Sequence, residues 1–314
     1  MSNLTIKQYL KTLPTDGSLY YCPDLGNAGD SLIAQATLQL FRETGVNYNF
    51  VHWKQLDDFD PGGKTLIYGG GGNLVSYYKV ARNIVSRYHR KLDKLIIFPH
   101  TITGNEDLLA ELGENVDIIL REKVSFKHVS DNSVRSNNML MDDLAFSLNI
   151  KEVLGKKPHG LFIFLLLKIL YKLLPGSSTE IIPPLKQVLT NNILELKCYF
   201  RRLGNKPGSR VLNCFRTDVE ETGVDLPPDN LDLSDIFAYG TRNEELISYA
   251  SYRLLNFMNK YDEIRTNRLH LCLAGALLGK KVKFYPNSYW KCEAIYNFSI
   301  KGRFDNVEWC AAEA

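Results

Sequence analysis

The stretch Arg265-Thr-Asn-Arg-Leu-His270 sets cationic side chains between a predicted strand, Tyr261-Asp-Glu-Ile264, and a predicted apolar helix, Leu271–Leu278, stopped by Gly279. A strand-to-helix turn leaves backbone N–H groups without intrahelical acceptors, and the helix dipole adds positive potential there. Arg268 and His270 in that turn are candidates for holding an anion. Arg216 ends a second predicted strand, Arg210-Val-Leu-Asn-Cys-Phe215, in the same half of the chain. Two arginines and a histidine converging on one crevice suit a small ligand that carries both carboxylate and phosphate. Taken singly, Arg268 or His270 reads better as a cap or a surface ion pair. Taken together they read as a site.

Other candidates sit at strand ends. The loop Gly26-Asn27-Ala28-Gly29-Asp30 follows the predicted strand Ser18–Cys22 and precedes a helix expected from about Ser31 to Glu43. Its glycines allow close backbone approach, and the new helix points N–H groups at a ligand. It is neither GxGxxG nor a Walker loop, so nucleotide binding has no specific support. Asp30 suits a general acid or base, and equally the N-cap of that helix. Four glycines, Gly69 to Gly72, follow the strand Lys64–Tyr68 and precede Asn73. So much glycine costs conformational entropy, and close approach of a ligand to Gly71, Gly72 and the Asn73 amide is the expected reason. His100, after the strand Lys94–Phe98, suits proton transfer near neutral pH or a structural bond to a loop carbonyl. Arg121-Glu122 reads as an internal ion pair rather than a clamp. Asp142-Asp143 reads as helix capping or sugar-hydroxyl contacts rather than a metal site, since no further ligands stand nearby.

The elements that must position these residues alternate short apolar runs with helical patterns, which predicts an α/β protein with mainly parallel sheets. A first domain is expected over 1–150 and a second over 209–314, where the strand Lys281–Tyr285 delivers Pro286-Asn287-Ser288-Tyr289 into a final helix. Open α/β sheets bind ligands beyond the carboxyl ends of their strands, so two such domains facing across a cleft would share one site.

Between them, 151–208 is apolar and basic. From 151 to 210 the chain carries eleven Lys or Arg against three Asp or Glu, while the net charge of the whole is only +3. The run Leu161–Leu174 is shorter than the roughly 20 residues of a membrane-spanning helix. It reads as a buried helix between the domains or as an interfacial one, and its two lysines favour the interface. An anionic membrane surface is therefore an expected partner of 156–210. Nothing in the first residues has signal-peptide organisation, and the cysteines at 22, 198, 214, 272, 292 and 310 lack metal or disulfide spacing. Both features fit a cytoplasmic protein, peripheral on the inner face of the cytoplasmic membrane.

Assembled, Gly26-Asn-Ala-Gly-Asp30, Gly69-Gly-Gly-Gly-Asn73, a strand Asp142-Asp-Leu-Ala-Phe146, Thr266-Asn-Arg-Leu-His270 and Asn287-Ser-Tyr289 resemble the polysaccharide pyruvyl transferase family in order, over about residues 18 to 295. The resemblance implies two Rossmann-like domains in a GT-B-like fold. It implies phosphoenolpyruvate as donor and a pyruvate ketal, bridging two hydroxyls of one sugar, as product. Carried over by position, donor binding falls to Arg216, Arg268, Leu269 and His270, with Asn287 and Ser288 beside them. From the residues themselves, Asn27, Gly29, Gly71, Gly72 and Asn73 are expected as acceptor or loop contacts, and Asp30 and His100 as the candidates for proton transfer. The acceptor implied is a lipid-linked oligosaccharide of capsular or exopolysaccharide synthesis. The chemistry needs no metal or other cofactor, and no nucleic-acid partner is expected. The departure from the family lies at 156–207. The rivals are a nucleotide-sugar-dependent glycosyltransferase on the same fold and a non-catalytic anion- or membrane-binding module.

Overall fold

The structure, a computed structural model, describes residues 4–157, 190, 192–194, 196, 210–221 and 225–311. The run 161–174 and the cations Arg201, Arg202 and Lys206 lie outside the described residues, so the structure does not bear on that expected membrane-facing stretch. Among the described residues no helix is long and apolar enough to cross a membrane.

The chain forms two compact units. The first takes in the described residues up to Leu25, then Ile33–Leu148 and Tyr289–Asp305. Its strands are β1 (Leu19–Cys22), β2 (Asn49–Phe50), β3 (Thr65–Tyr68), β4 (Gly71–Leu74), β5 (Lys94–Ile102), β6 (Val116–Leu120) and β7 (Asn137–Leu140). They make a parallel sheet in the order β2-β1-β3-β5-β6-β7, with β4 also on β5. Every residue of β3 and β6 is buried, the mark of strands covered on both faces, and both are mostly apolar, with Asp117 of β6 met by Lys94 and Tyr9. Leu66, Leu95, Ile97 and Ile118 pack with Ala81, Ile84 and Val85 of the helix Val80–Tyr88 and with Leu109. Those helix positions recur at the spacing of one helical face.

The second unit comprises Gly26–Leu32, the described residues from Asn149 to Ser288, and those from Asn306 on. Its strands β8 (Val211–Asn213), β9 (Glu263–Thr266), β10 (Lys281–Phe284) and β11 (Val307–Trp309) form a parallel sheet ordered β11-β10-β9-β8. The α/β class with parallel sheets is as the alternation predicts.

Several local expectations change. The helix after β1 spans Ala28–Thr44, beginning earlier than Ser31. Asn27 Oδ1 accepts from Gly29 N at 2.8 Å while Asp30 Oδ2 accepts from Asn27 N at 2.9 Å. This reciprocal cap makes Asn27 the capping residue and puts Asp30 inside the first turn. The expected strand over 142–146 is a 3-10 turn, Leu144–Ser147, because the Asp143 carboxylate accepts from Ala145 N. Strand β5 runs on through His100 to Ile102 instead of ending before Pro99. Pro99 donates no ladder bond, and the pairing with β6 shifts register between Ile97 and His100.

The glycine run makes room for the protein's own atoms. A Cβ on Gly69 would lie 2.5 Å from Asp24 N, and one on Gly70 2.9 Å from Pro99 O. On Gly71 it would meet Asp24 Oδ2 at 2.2 Å, and on Gly72 the Arg121 Nη2 at 2.8 Å. Gly69→Ala should therefore destabilise the protein by about 1–3 kcal/mol, since rigid backbone must yield. The exposed Gly62, whose added Cβ would find only Asp60 Oδ1 at 3.6 Å, should tolerate alanine within about 0.5 kcal/mol. Urea unfolding of the two variants checks the contrast, and equal midpoints would refute it.

Candidate functional site

Strands β8, β9 and β10 end side by side, with Lys283 and Asn213 both opposite Arg265. Just beyond their carboxyl ends come Arg216, Arg268 and Asn287-Ser288. Arg268 is the N-cap of the helix Leu269–Leu277; its N–H donates to Thr266 Oγ1 at 3.0 Å, and that hydroxyl donates to Cys214 O at 2.7 Å. The Leu269 side chain is buried, so what it offers a ligand is its backbone N–H in the first turn. His270 follows in the same turn. A side chain on Gly29 would sit 2.7 Å from His270 Nδ1. The first turns of the helices Ala28–Thr44 and Leu269–Leu277 thus meet within the second unit. Two positive dipole ends lie close together there, with the Asp30 carboxylate offsetting part of that potential.

Both arginines are buried and engaged with carboxylates. Arg216 donates from Nε and Nη2 to Asp218 at 2.7 and 2.9 Å, and from Nη1 to Glu220 Oε2 at 2.5 Å. Arg268 Nη2 bonds to Asp232 Oδ2 and lies 3.0 Å from Asp218 Oδ2. Asn287 Nδ2 reaches Glu220 Oε2 at 3.3 Å, and Ser288, itself exposed, donates its N–H to Glu220 O at 3.3 Å. Burial acts to raise the Asp218 carboxyl, but its hydrogen bonds from Arg216 and the charges of both arginines outweigh burial and hold it well below the usual range. For Arg268, burial opposes the charge while the bond and charge of Asp232 prevail and raise it. Its Nε is buried with no hydrogen-bond partner among the described residues, and so is Asp232 Oδ1. A buried donor left unmatched is costly, and a bound acceptor removes that cost.

The structure thus gathers Arg216, Arg268, Leu269, His270, Asn287, Ser288, Asn27, Gly29 and Asp30 in the second unit. It also supplies what sequence reading missed. Asp218 and Glu220 stand two and four residues after Arg216 in Arg216-Thr-Asp-Val-Glu220, a spacing that could have been noticed. Asp232 reaches Arg268 from far along the chain, and no local signal announces it.

Gly71, Gly72, Asn73 and His100 belong to the first unit. There Asp24, in the loop after β1 and only 3% exposed, accepts through Oδ1 from Tyr68 Oη at 2.8 Å and from Asn73 Nδ2. Asn73 Oδ1 lies 3.2 Å from His100 Nε2. Arg121 is fully buried, donating to Thr101 Oγ1 at 2.8 Å and to Asp143 at 2.6 Å. The expected Arg121–Glu122 pair is thus corrected. Glu122 instead caps the helix Lys123–Asn132 by accepting from Val124 N and Ser125 N. Asp142 holds Ser299 and Arg303, at 2.7 and 2.6 Å.

Burial, and then the charge of Arg121, push the His100 pKa down to about 3 from an ordinary 6.5. At neutral pH the ring is uncharged. As pH falls below about 6.5 the unfolded chain takes up a proton that folded His100 refuses, so stability is lost by about 1.4 kcal/mol per pH unit towards pH 3. The contribution is fully present above pH 6.5. Urea unfolding across pH 4 to 7 should show a shallower acid limb for His100→Gln than for the wild type; parallel limbs would contradict the buried neutral ring.

Comparison with known proteins agrees with the motifs. The polysaccharide pyruvyl transferase family matches residues 27–289. The chain is 26% identical to a protein of Bacillus subtilis (strain 168) named "Putative pyruvyl transferase EpsO", over 96% of this chain and 92% of that one. It is also similar to the crystal structure of a functionally uncharacterised protein of Klebsiella pneumoniae subsp. pneumoniae NTUH-K2044. That likeness has a TM-score of 0.73 and 27% identity, and covers 99% of this chain and 100% of the other. The chain belongs to the polysaccharide pyruvyl transferase family and is a transferase.

Proposed function

We propose that the protein transfers pyruvate from phosphoenolpyruvate to two hydroxyls of one sugar, forming a cyclic ketal on a lipid-linked oligosaccharide in capsular or exopolysaccharide synthesis. The observation that carries this reading is the meeting of two helix N-termini at Gly29 and His270, beside the buried, unmatched Nε of Arg268. Converging positive potential and an unused donor suit a compact anion such as this donor. Asn287 and Ser288 complete the donor set, and the GT-B-like reading of the two units belongs to the same proposal.

The reaction protonates the enol methylene to a methyl group, leaving a cationic carbon that one sugar hydroxyl attacks. Phosphate departs with the C–O bonding pair, and the second hydroxyl closes the ring as both hydroxyl protons are released. Proton transfer falls to Asp30 and His100, with His100 entering uncharged. Gly71, Gly72, Asn73, Asn27 and Gly29 serve as acceptor or loop contacts. The scheme calls for no metal or other cofactor.

Arg216→Ala, Arg268→Ala and His270→Ala should each weaken phosphoenolpyruvate binding by about 2–5 kcal/mol, well over tenfold. Calorimetric titration of the purified variants measures this, and unchanged affinity in all three would refute the assignment. Turnover is tested by incubating the protein with phosphoenolpyruvate and lipid-linked oligosaccharides, then weighing the product and measuring released phosphate. Turnover of a nucleotide sugar without phosphate release would overturn the reading. The proposal also sets the protein on the inner face of the cytoplasmic membrane through 156–210. It should float with anionic liposomes at low salt and lose them as salt rises; equal flotation with neutral vesicles would refute that part.

A further inference from the structure

Glu220 is 2% exposed and belongs to the loop after β8, and it joins that loop to the one after β10. Its Oε2 accepts from Arg216 Nη1 at 2.5 Å and from Asn287 Nδ2 at 3.3 Å, and its carbonyl oxygen accepts from Ser288 N at 3.3 Å. Because the sheet order places β9 between β10 and β8, this connection spans the strand whose end carries Arg268. Asp218 takes the Nε–Nη2 edge of Arg216 and also lies 3.0 Å from Arg268 Nη2. All three guanidinium nitrogens of Arg216 are thereby held, and the plane of the group is fixed.

We infer that Glu220 is a positioning residue for the anion site, setting the orientation of Arg216 and the placement of Asn287 relative to Arg268. The inference rests on the donor reading above and adds a division of labour to it. A carboxylate buried this completely is a costly way to join two loops, because each ion must leave water. A neutral amide would join them with less desolvation. What charge adds is a rigid guanidinium, since a charge-assisted bond resists rotation more than a neutral one. A ligand with two anionic ends depends on the spacing of both receptors. A single-centred anion does not, because the N-terminus of Leu269–Leu277 and Arg268 are enough to hold it.

The test is calorimetric titration of the full-length wild type, Glu220→Gln and Glu220→Asp with phosphoenolpyruvate and, separately, with inorganic phosphate, with melting temperatures recorded. Glu220→Gln should weaken phosphoenolpyruvate by more than about tenfold and phosphate by less than about threefold, on the scale expected for losing one oriented charged partner. Glu220→Asp keeps the charge but falls short of one partner, and should lie between. A purely structural role would lower the melting temperature and leave the ratio of the two affinities unchanged, and that result overturns the inference. Should Glu220→Gln fail to fold, the affinity ratio of Glu220→Asp decides by the same criterion. A wild type that does not bind phosphoenolpyruvate overturns the donor reading itself, a failure visible before any variant is compared.

Discussion

The absence of a side chain at Gly29 lets the first turn of one helix lie against His270 in the first turn of another, closer than any Cβ would permit. Two N-terminal dipole ends brought together repel, and the arrangement persists only where negative charge is near. Part is supplied by Asp30, which is fixed in place by the reciprocal cap with Asn27. The remainder shapes the whole carboxyl edge of β8, β9 and β10, where arginines and carboxylates alternate and each fixes the next.

Among the described residues much of the buried charge lies just beyond strand ends, while Asp117, inside β6, is met by Lys94 and Tyr9. In the second unit the guanidinium groups of Arg216 and Arg268 meet the carboxylates of Asp218, Glu220, Asp232 and, at 3.9 Å, Asp235. In the first unit Arg121 is matched by Asp143, while Asp24 is held by neutral donors from Tyr68 and Asn73. Such groups contribute little net stability once desolvation is counted, whereas removing one partner leaves its mate stranded. Their grouping at the edge where open parallel sheets bind ligands argues for use rather than for support.

Much of the fold was legible because parallel strands covered on both faces leave short, β-branched apolar runs between turn residues, as in Thr65–Tyr68 and Val116–Leu120. Helix ends at Gly45 and Gly279 were legible because both take positive φ, at 72° and 70°. The errors have one source, side chains that bond to distant or unexpected backbone. Asn27 captured the helix start from Ser31, and Asp143 turned a presumed strand into a 3-10 turn. Arg121 chose Asp143 over its neighbour Glu122 because Glu122 was needed at a helix end. The cations of the anion site were visible as residue types in a strand-to-helix turn. Their carboxylate partners were not, since Asp232 meets Arg268 only after the sheet has formed.

Strand β5 has two partners on the same side, β3 along its first half and β4 along its second, where Gly71 faces His100 and Leu74 faces Ile102. On the other side His100 faces Leu120 of β6. The histidine is thus enclosed by a strand that four glycines allow to step sideways and continue. The ring therefore reports on the pairing around it: loosening of β4 from β5, in the middle of the sheet, would let its pKa climb from about 3 back towards 6.5.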